Sequence, residues 1–118
     1  MKHTLYNYKA IVTSVYDGDT CTVDIDLGLH SWIRGEKLRL QRINAPELRG
    51  KDRPKGLKLR DFLRSKIEGK EILIETIKDK KGKYGRYLAE IWLEDKLGKF
   101  KNINDLIVKE GFAKYQKY

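Results

Sequence analysis

The sequence predicts a mainly β domain of the α+β class, five strands closing into a small barrel with two helices. Three observations carry that expectation. Through the first third of the chain, apolar residues recur with the two-residue period of strands. The period lengthens to helical spacing after the third strand and again near the end of the chain. A chain of 118 residues, 40% hydrophobic and 36% charged, supplies one compact core and leaves little for a second, so residues 1–118 are expected to form a single domain.

The first strand is expected over residues 8–15, a β-branched and apolar run. The second covers residues 21–27, where Cys21, Val23, Ile25 and Leu27 alternate with Thr22, Asp24 and Asp26, so one face is buried. Asp17-Gly18-Asp19 between them reads as a hairpin turn, with Gly18 expected to supply a positive φ. A third strand, about residues 36–43, sets Leu38 and Leu40 on one face and Arg39 and Gln41 on the other.

Near Pro54 the pattern changes. Leu59, Phe62, Leu63 and Ile67 fall at helical spacing, Pro54 suits a first turn, and Gly69 marks the stop. Strand character returns at residues 71–77 and 87–93, around a basic loop containing Lys80, Lys81, Gly82 and Lys83 that is expected to be mobile. A second helix is expected around Ile103, Leu106 and Ile107, capped by Asn102 or Asn104 and ended by Gly111. Three strands, helix, two strands, helix is the order of the OB-fold, whose outer face and loops bind oligonucleotides in many unrelated proteins. Fold alone assigns no function.

Composition narrows the partners. Lys and Arg number 26 against 17 Asp and Glu, a net charge of +9 that favours polyanions. The one cysteine, Cys21, excludes an intrachain disulfide and reads as a small buried hydrophobe. His3 and His30 have no Cys or His partner at zinc spacing, and there is neither a Ser/His/Asp set nor a glycine-rich phosphate loop. Trp32 and Trp92 are expected to pack on the strands. Residues 1–8 contain neither a signal-peptide pattern nor a membrane span, so a cytoplasmic location without membrane partners is the default expectation.

Three segments combine charge with turn chemistry: Asp17-Gly18-Asp19-Thr20, the run from Arg39 through Ile43-Asn44-Ala45-Pro46-Glu47, and Lys83-Tyr84-Gly85-Arg86. Each alone is an ordinary turn or strand end. Together and in this order they resemble the staphylococcal nuclease-like family, and Ile103 to Val108 with Gly111-Phe112-Ala113-Lys114 is similar to that family's second helix and its exit.

The resemblance implies a calcium-dependent endonuclease that hydrolyses DNA and RNA with little base specificity and leaves 3′-phosphate ends. Arg39 and Arg86 would clamp the reacting phosphate, a task that suits a planar, permanently charged guanidinium. Glu47 would orient or deprotonate the attacking water. Tyr84 would contact the bound nucleotide, with Lys83 beside it; by charge alone, Lys80, Lys81 and Lys83 either follow the substrate backbone or form a solvated loop. The calcium ligands carried over are Asp19, Asn44 and the carbonyl of Ala45. The family reference has Asp at position 44, so a weaker calcium site is expected here. The reference also continues into a third helix, so the surface beyond the second helix is expected to be covered by Tyr115 and Tyr118, by a partner or by further residues. The alternative class is a non-catalytic OB-fold module that binds nucleic acid without cutting it.

Overall fold

The structure, a computed structural model, describes residues 6–46, 48, 50–81 and 85–116, with the side chains of 78–80 excepted. Three long antiparallel strands open it: β1 (Asn7–Val15), β2 (Thr20–Gly28) and β3 (Ser31–Leu40). A two-residue β4 (Ile43–Asn44) and a 3₁₀ turn lead into α1 (Arg53–Ile67). β5 (Glu71–Lys81), β6 (Tyr87–Glu94), β7 (Phe100–Asn102), α2 (Ile103–Lys109) and β8 (Lys114–Tyr115) complete the order.

The main sheet runs β3-β2-β1-β5-β6-β7, and it closes because Leu38, Arg39 and Leu40 of β3 also pair in parallel with Tyr87, Leu88 and Ala89 of β6. Five strands thereby form the expected barrel, with β7 as an extra strand beside β6. The alternation in β2 is realised: Cys21, Val23 and Ile25 are buried while Thr22, Asp24 and Asp26 face outward. Leu59, Leu63 and Ile67, four residues apart on α1, are buried in the same core as Val12, Leu40 and Ile43. Their helical stripe plugs the barrel.

Gly69 ends α1 with φ 79° and donates its N–H to the Val12 carbonyl at 2.7 Å. Asn102 rather than Asn104 caps α2, accepting a hydrogen bond from the Asp105 N–H. Asn104 is fully buried instead. Its Oδ1 accepts from the Ile91 N–H, and its amide nitrogen donates to the carbonyls of Gln41 and Ala89.

Four expectations need correction. β3 begins at Ser31 and ends at Leu40, because Arg42 takes a positive φ of 68° that an extended strand cannot hold. The chain resumes as β4, which pairs with β8. Gly18 does not belong to the positive-φ glycines. Its requirement is steric, since a Cβ there would lie 2.2 Å from Leu59 Cδ2. Trp32 is no core residue: it is 37% exposed, and the Arg34 guanidinium carbon lies 4.7 Å from its ring centre. β5 continues to Lys81, four residues past the expected end.

Candidate active site

The β1–β2 turn, the end of β3 and the start of β6 meet at one rim of the barrel, where the closing β3–β6 pairing lies. Register brings their side chains together. Thr20 at the start of β2 is opposite Arg39, and Arg39 is in turn beside Leu88, two residues after Arg86.

The turn is tightly specified. The Asp17 carboxylate accepts from the Asp19 N–H at 3.0 Å, while the Tyr16 and Asp17 N–H groups both donate to the Thr20 carbonyl. The Asp19 carbonyl accepts from the Leu40 N–H at 2.8 Å, stitching the turn to β3. Gly18 is buried against Leu59, and a Cβ there would also come within 3.2 Å of Ala45 Cβ, so the turn lies directly beside the chain leaving β4. Burial, reinforced by the hydrogen bond and charge of Asp19, pushes the Asp17 carboxyl up to about 6.

Asp19 links the two arginines. Its Oδ2 lies 3.7 Å from Arg39 Nη2, with both side chains about one-fifth exposed, at 19% and 18%. Its Oδ1 accepts from the Thr20 hydroxyl at 3.1 Å, and that hydroxyl oxygen accepts from Arg86 Nη1 at 3.0 Å. Arg39 Nη2 also donates to the Ile43 carbonyl at 3.2 Å, which draws the β4 segment to the same place. Two guanidiniums, one on β3 and one just before β6, are thus tethered to one carboxylate, one directly and one through a hydroxyl. A guanidinium's planar fork of five N–H donors matches the geometry of phosphate oxygens.

Of the predicted ligands, Asp19 is on this rim, Ala45 is half-buried beside Gly18, and Asn44 is exposed in β4, where its backbone pairs with Lys114. Carboxylate, amide and carbonyl oxygens are hard donors of the kind calcium accepts, so the donor chemistry fits. Among the described residues no three His, Cys, Asp or Glu side chains gather as a metal cluster. Glu47, Lys83 and Tyr84 lie outside the described residues.

Sequence reasoning missed Thr20 as the bridge between Arg86 and Asp19; its position opposite Arg39 becomes visible only once the strand register is known. Arg42, inside the Arg39–Glu47 run, has a structural place. It makes a two-point ion pair with Glu90 at 3.0 and 2.7 Å, meets Asp105 at 3.0 Å, and lies over the Tyr115 ring at 5.5 Å. Tyr115 donates its hydroxyl to Asp105, so the segment after α2 turns back toward that helix, although the ring stays half exposed; Tyr118 lies outside the described residues. Lys81 is engaged by Glu36 at 3.5 Å and lies 5.0 Å from the Tyr87 ring centre. Among the described residues no helix is long and apolar enough to cross a membrane.

Known proteins share this arrangement of sequence. A family described as staphylococcal nuclease homologue matches residues 37–118. The thermonuclease of Staphylococcus hyicus is 31% identical over 114 residues, which cover 94% of this chain and 60% of that protein. The thermonuclease of Staphylococcus intermedius is 30% identical over 111 residues, covering 92% and 60%. An uncharacterized protein of Methanocaldococcus jannaschii is 28% identical over 129 aligned positions, covering 92% and 59%. The chain thus spans about three-fifths of the length of these relatives.

Proposed function

Because this chain belongs to the family of staphylococcal nuclease homologues, we propose that it is a calcium-dependent endonuclease hydrolysing DNA and RNA to 3′-phosphate ends. The observation that carries the reading is the pairing of Arg39 and Arg86 about Asp19 and Thr20 at one barrel rim. The thermonucleases among its relatives support the reaction class.

Hydrolysis needs an activated water, neutralised charge on the non-bridging phosphate oxygens and a stabilised leaving alkoxide. Arg39 and Arg86 supply the second requirement, each donating N–H groups to phosphate oxygens on which negative charge grows. Asp19 holds Arg39 by charge, and Thr20 holds Arg86 by its hydroxyl oxygen, so both enter the reaction already oriented. Glu47 is the proposed general base. It takes a proton from the water whose oxygen bonds to phosphorus, the bond to the 5′ oxygen breaks, and the departing alkoxide takes up a proton from solvent.

Asp19, Asn44 and the Ala45 carbonyl would hold the calcium ion, which when bound adds positive charge beside the phosphate. Tyr84 and Lys83 would contact the nucleotide next to the reacting phosphate. These contacts address phosphate and sugar, and so carry little base preference.

Conservative variants test the roles. Arg39→Lys and Arg86→Lys are each expected to lower kcat on single-stranded DNA by about 10²–10³-fold, since a point charge replaces a two-point clamp. Glu47→Gln is expected to lower kcat with little change in KM. Full activity in Glu47→Gln would remove Glu47 from the mechanism, and full activity in both Lys variants would remove the clamp.

A further inference from the structure

β3 extends well beyond the barrel. Only Leu38 to Leu40 pair with β6, so residues 31–37 have β2 on one side and, among the described residues, no strand paired on the other. The outer face of this extension is continuous with the candidate active site. Arg39 pairs with Thr20, Lys37 with Thr22 and Trp32 with Asp26; on β2 Cys21, Val23 and Ile25 face the core, so the even-numbered residues lie on the opposite side, Thr20 buried and Thr22 and Asp26 partly exposed. Residues opposite one another across a ladder share a face, so Trp32, Lys37 and Arg39 lie on the same side.

The parity change between Trp32 and Lys37 comes from a bulge. Register shifts between Val23 and Ile25, where the Asp24 carboxylate accepts from the Gly35 N–H and from Arg34 Nη1, both at 3.0 Å. The bulge puts Arg34 on the same side as Asp24 and brings its guanidinium carbon to 4.7 Å from the centre of the Trp32 ring. Arg34 remains 65% exposed at its side chain and Trp32 is 37% exposed. Lys37 makes no ion pair among the described residues. Ring, guanidinium and ammonium therefore follow one another toward Arg39.

We infer that this face is an accessory site for a single strand of nucleic acid, with an unpaired base stacking on the Trp32–Arg34 pair and the intervening backbone passing Lys37. The inference rests on the reading above that the chain acts on nucleic acid. Trp32 and Arg39 are about 20 Å apart along the strand, a span within the roughly 4–16 nucleotides that one OB barrel engages. A base must leave its duplex to stack on a side chain, so the site selects single strands. The negative groups nearby are answered locally: Asp24 by Arg34, Asp26 by the Gly28 N–H and Glu36 by Lys81. A contact between copies of the chain would also use exposed apolar residues of this hairpin such as Leu29, but it would not require alignment of the stacked pair with Arg39. The bulge also disfavours edge-to-edge strand pairing.

The test compares the intact chain with Trp32→Ala and Trp32→Phe on two substrates, a dinucleotide and an oligothymidylate of about twelve nucleotides, with anisotropy of the labelled oligonucleotide read separately in chelator. Trp32→Ala is expected to weaken oligonucleotide binding about tenfold and to lower the ratio of kcat/KM between the long and short substrates by a similar factor. Trp32→Phe should restore most of both. Unchanged anisotropy and an unchanged substrate ratio in Trp32→Ala overturn the inference. So does a Trp32→Ala variant whose only change is a smaller sedimentation coefficient, which would mark the face as a contact between copies. Hydrolysis of neither substrate by the parent chain would contradict the catalytic reading alone, because the anisotropy still reports on the stacking site.

Discussion

At residue 18 only a hydrogen atom fits on the side of the backbone facing Leu59. A Cβ placed there would lie 2.2 Å from Leu59 Cδ2 and 2.5 Å from its Cγ, so Gly18→Ala must displace the plug helix or the turn that presents Asp19. The expected cost is about 1–3 kcal/mol, read as a lower urea midpoint. Part of it should return in the Gly18→Ala, Leu59→Ala double variant if the contact is the cause. The sequence could not reveal this reason, because a glycine in an Asp-Gly-Asp turn carries the same letters whether its φ is positive or its neighbour is close. Cys21 was legible, since an alternating strand places it inward. Burial, with the charge of Asp17 adding to it, pushes its thiol up to about 12. A thiolate at pH 8 is thereby suppressed in the native chain. An aromatic disulfide reagent is expected to leave Cys21 unmodified at that pH until denaturant is added; rapid native labelling would contradict its burial.

The elements differ in how clearly their residues announce them. β2 and α1 were legible because each buries one face only, so their apolar residues keep the period of the element. The first half of β3 was not. Residues 31–35 are exposed, and their pairing with β2 comes from backbone hydrogen bonds and a bulge that leave no alternation to read. The end of β3 was misplaced for a related reason: Ile43 is fully buried and extends the apparent pattern, while the break is made by the positive φ of Arg42. α2 was found by its period, but the roles of its two asparagines could not be separated without the tertiary structure. Asn104 bonds the Ile91 N–H and the carbonyls of Gln41 and Ala89, joining α2 to β6 and to the chain just past β3. Asn104→Ala strands those backbone groups in the core and is expected to cost about 1–3 kcal/mol or more. Asn102→Ala, which removes only a cap, should cost about 1 kcal/mol. Equal losses in chemical denaturation would mean that Asn104 does not bridge the elements.

For the whole molecule, the barrel explains how residues separated by 67 positions, Asp19 and Arg86, come to share one hydroxyl, that of Thr20. Strand closure sets that meeting, and the three motifs were legible in sequence because each sits at an end of one of the strands that closure brings together. Their order and chemistry resemble the nuclease family, and the family match over residues 37–118 takes in the second and third of them. The net charge of +9 favours encounter with a polyanion. The charge at the proposed calcium ligands runs the other way, with Asn44 where the family reference has an acid. Hydrolysis of single-stranded DNA by the purified chain, titrated with calcium and repeated with excess chelator, tests the central claim most directly. Cleavage that appears with calcium, requires a high concentration of it, yields 3′-phosphate ends and is abolished by chelator is the predicted result; no cleavage across the whole titration would contradict it.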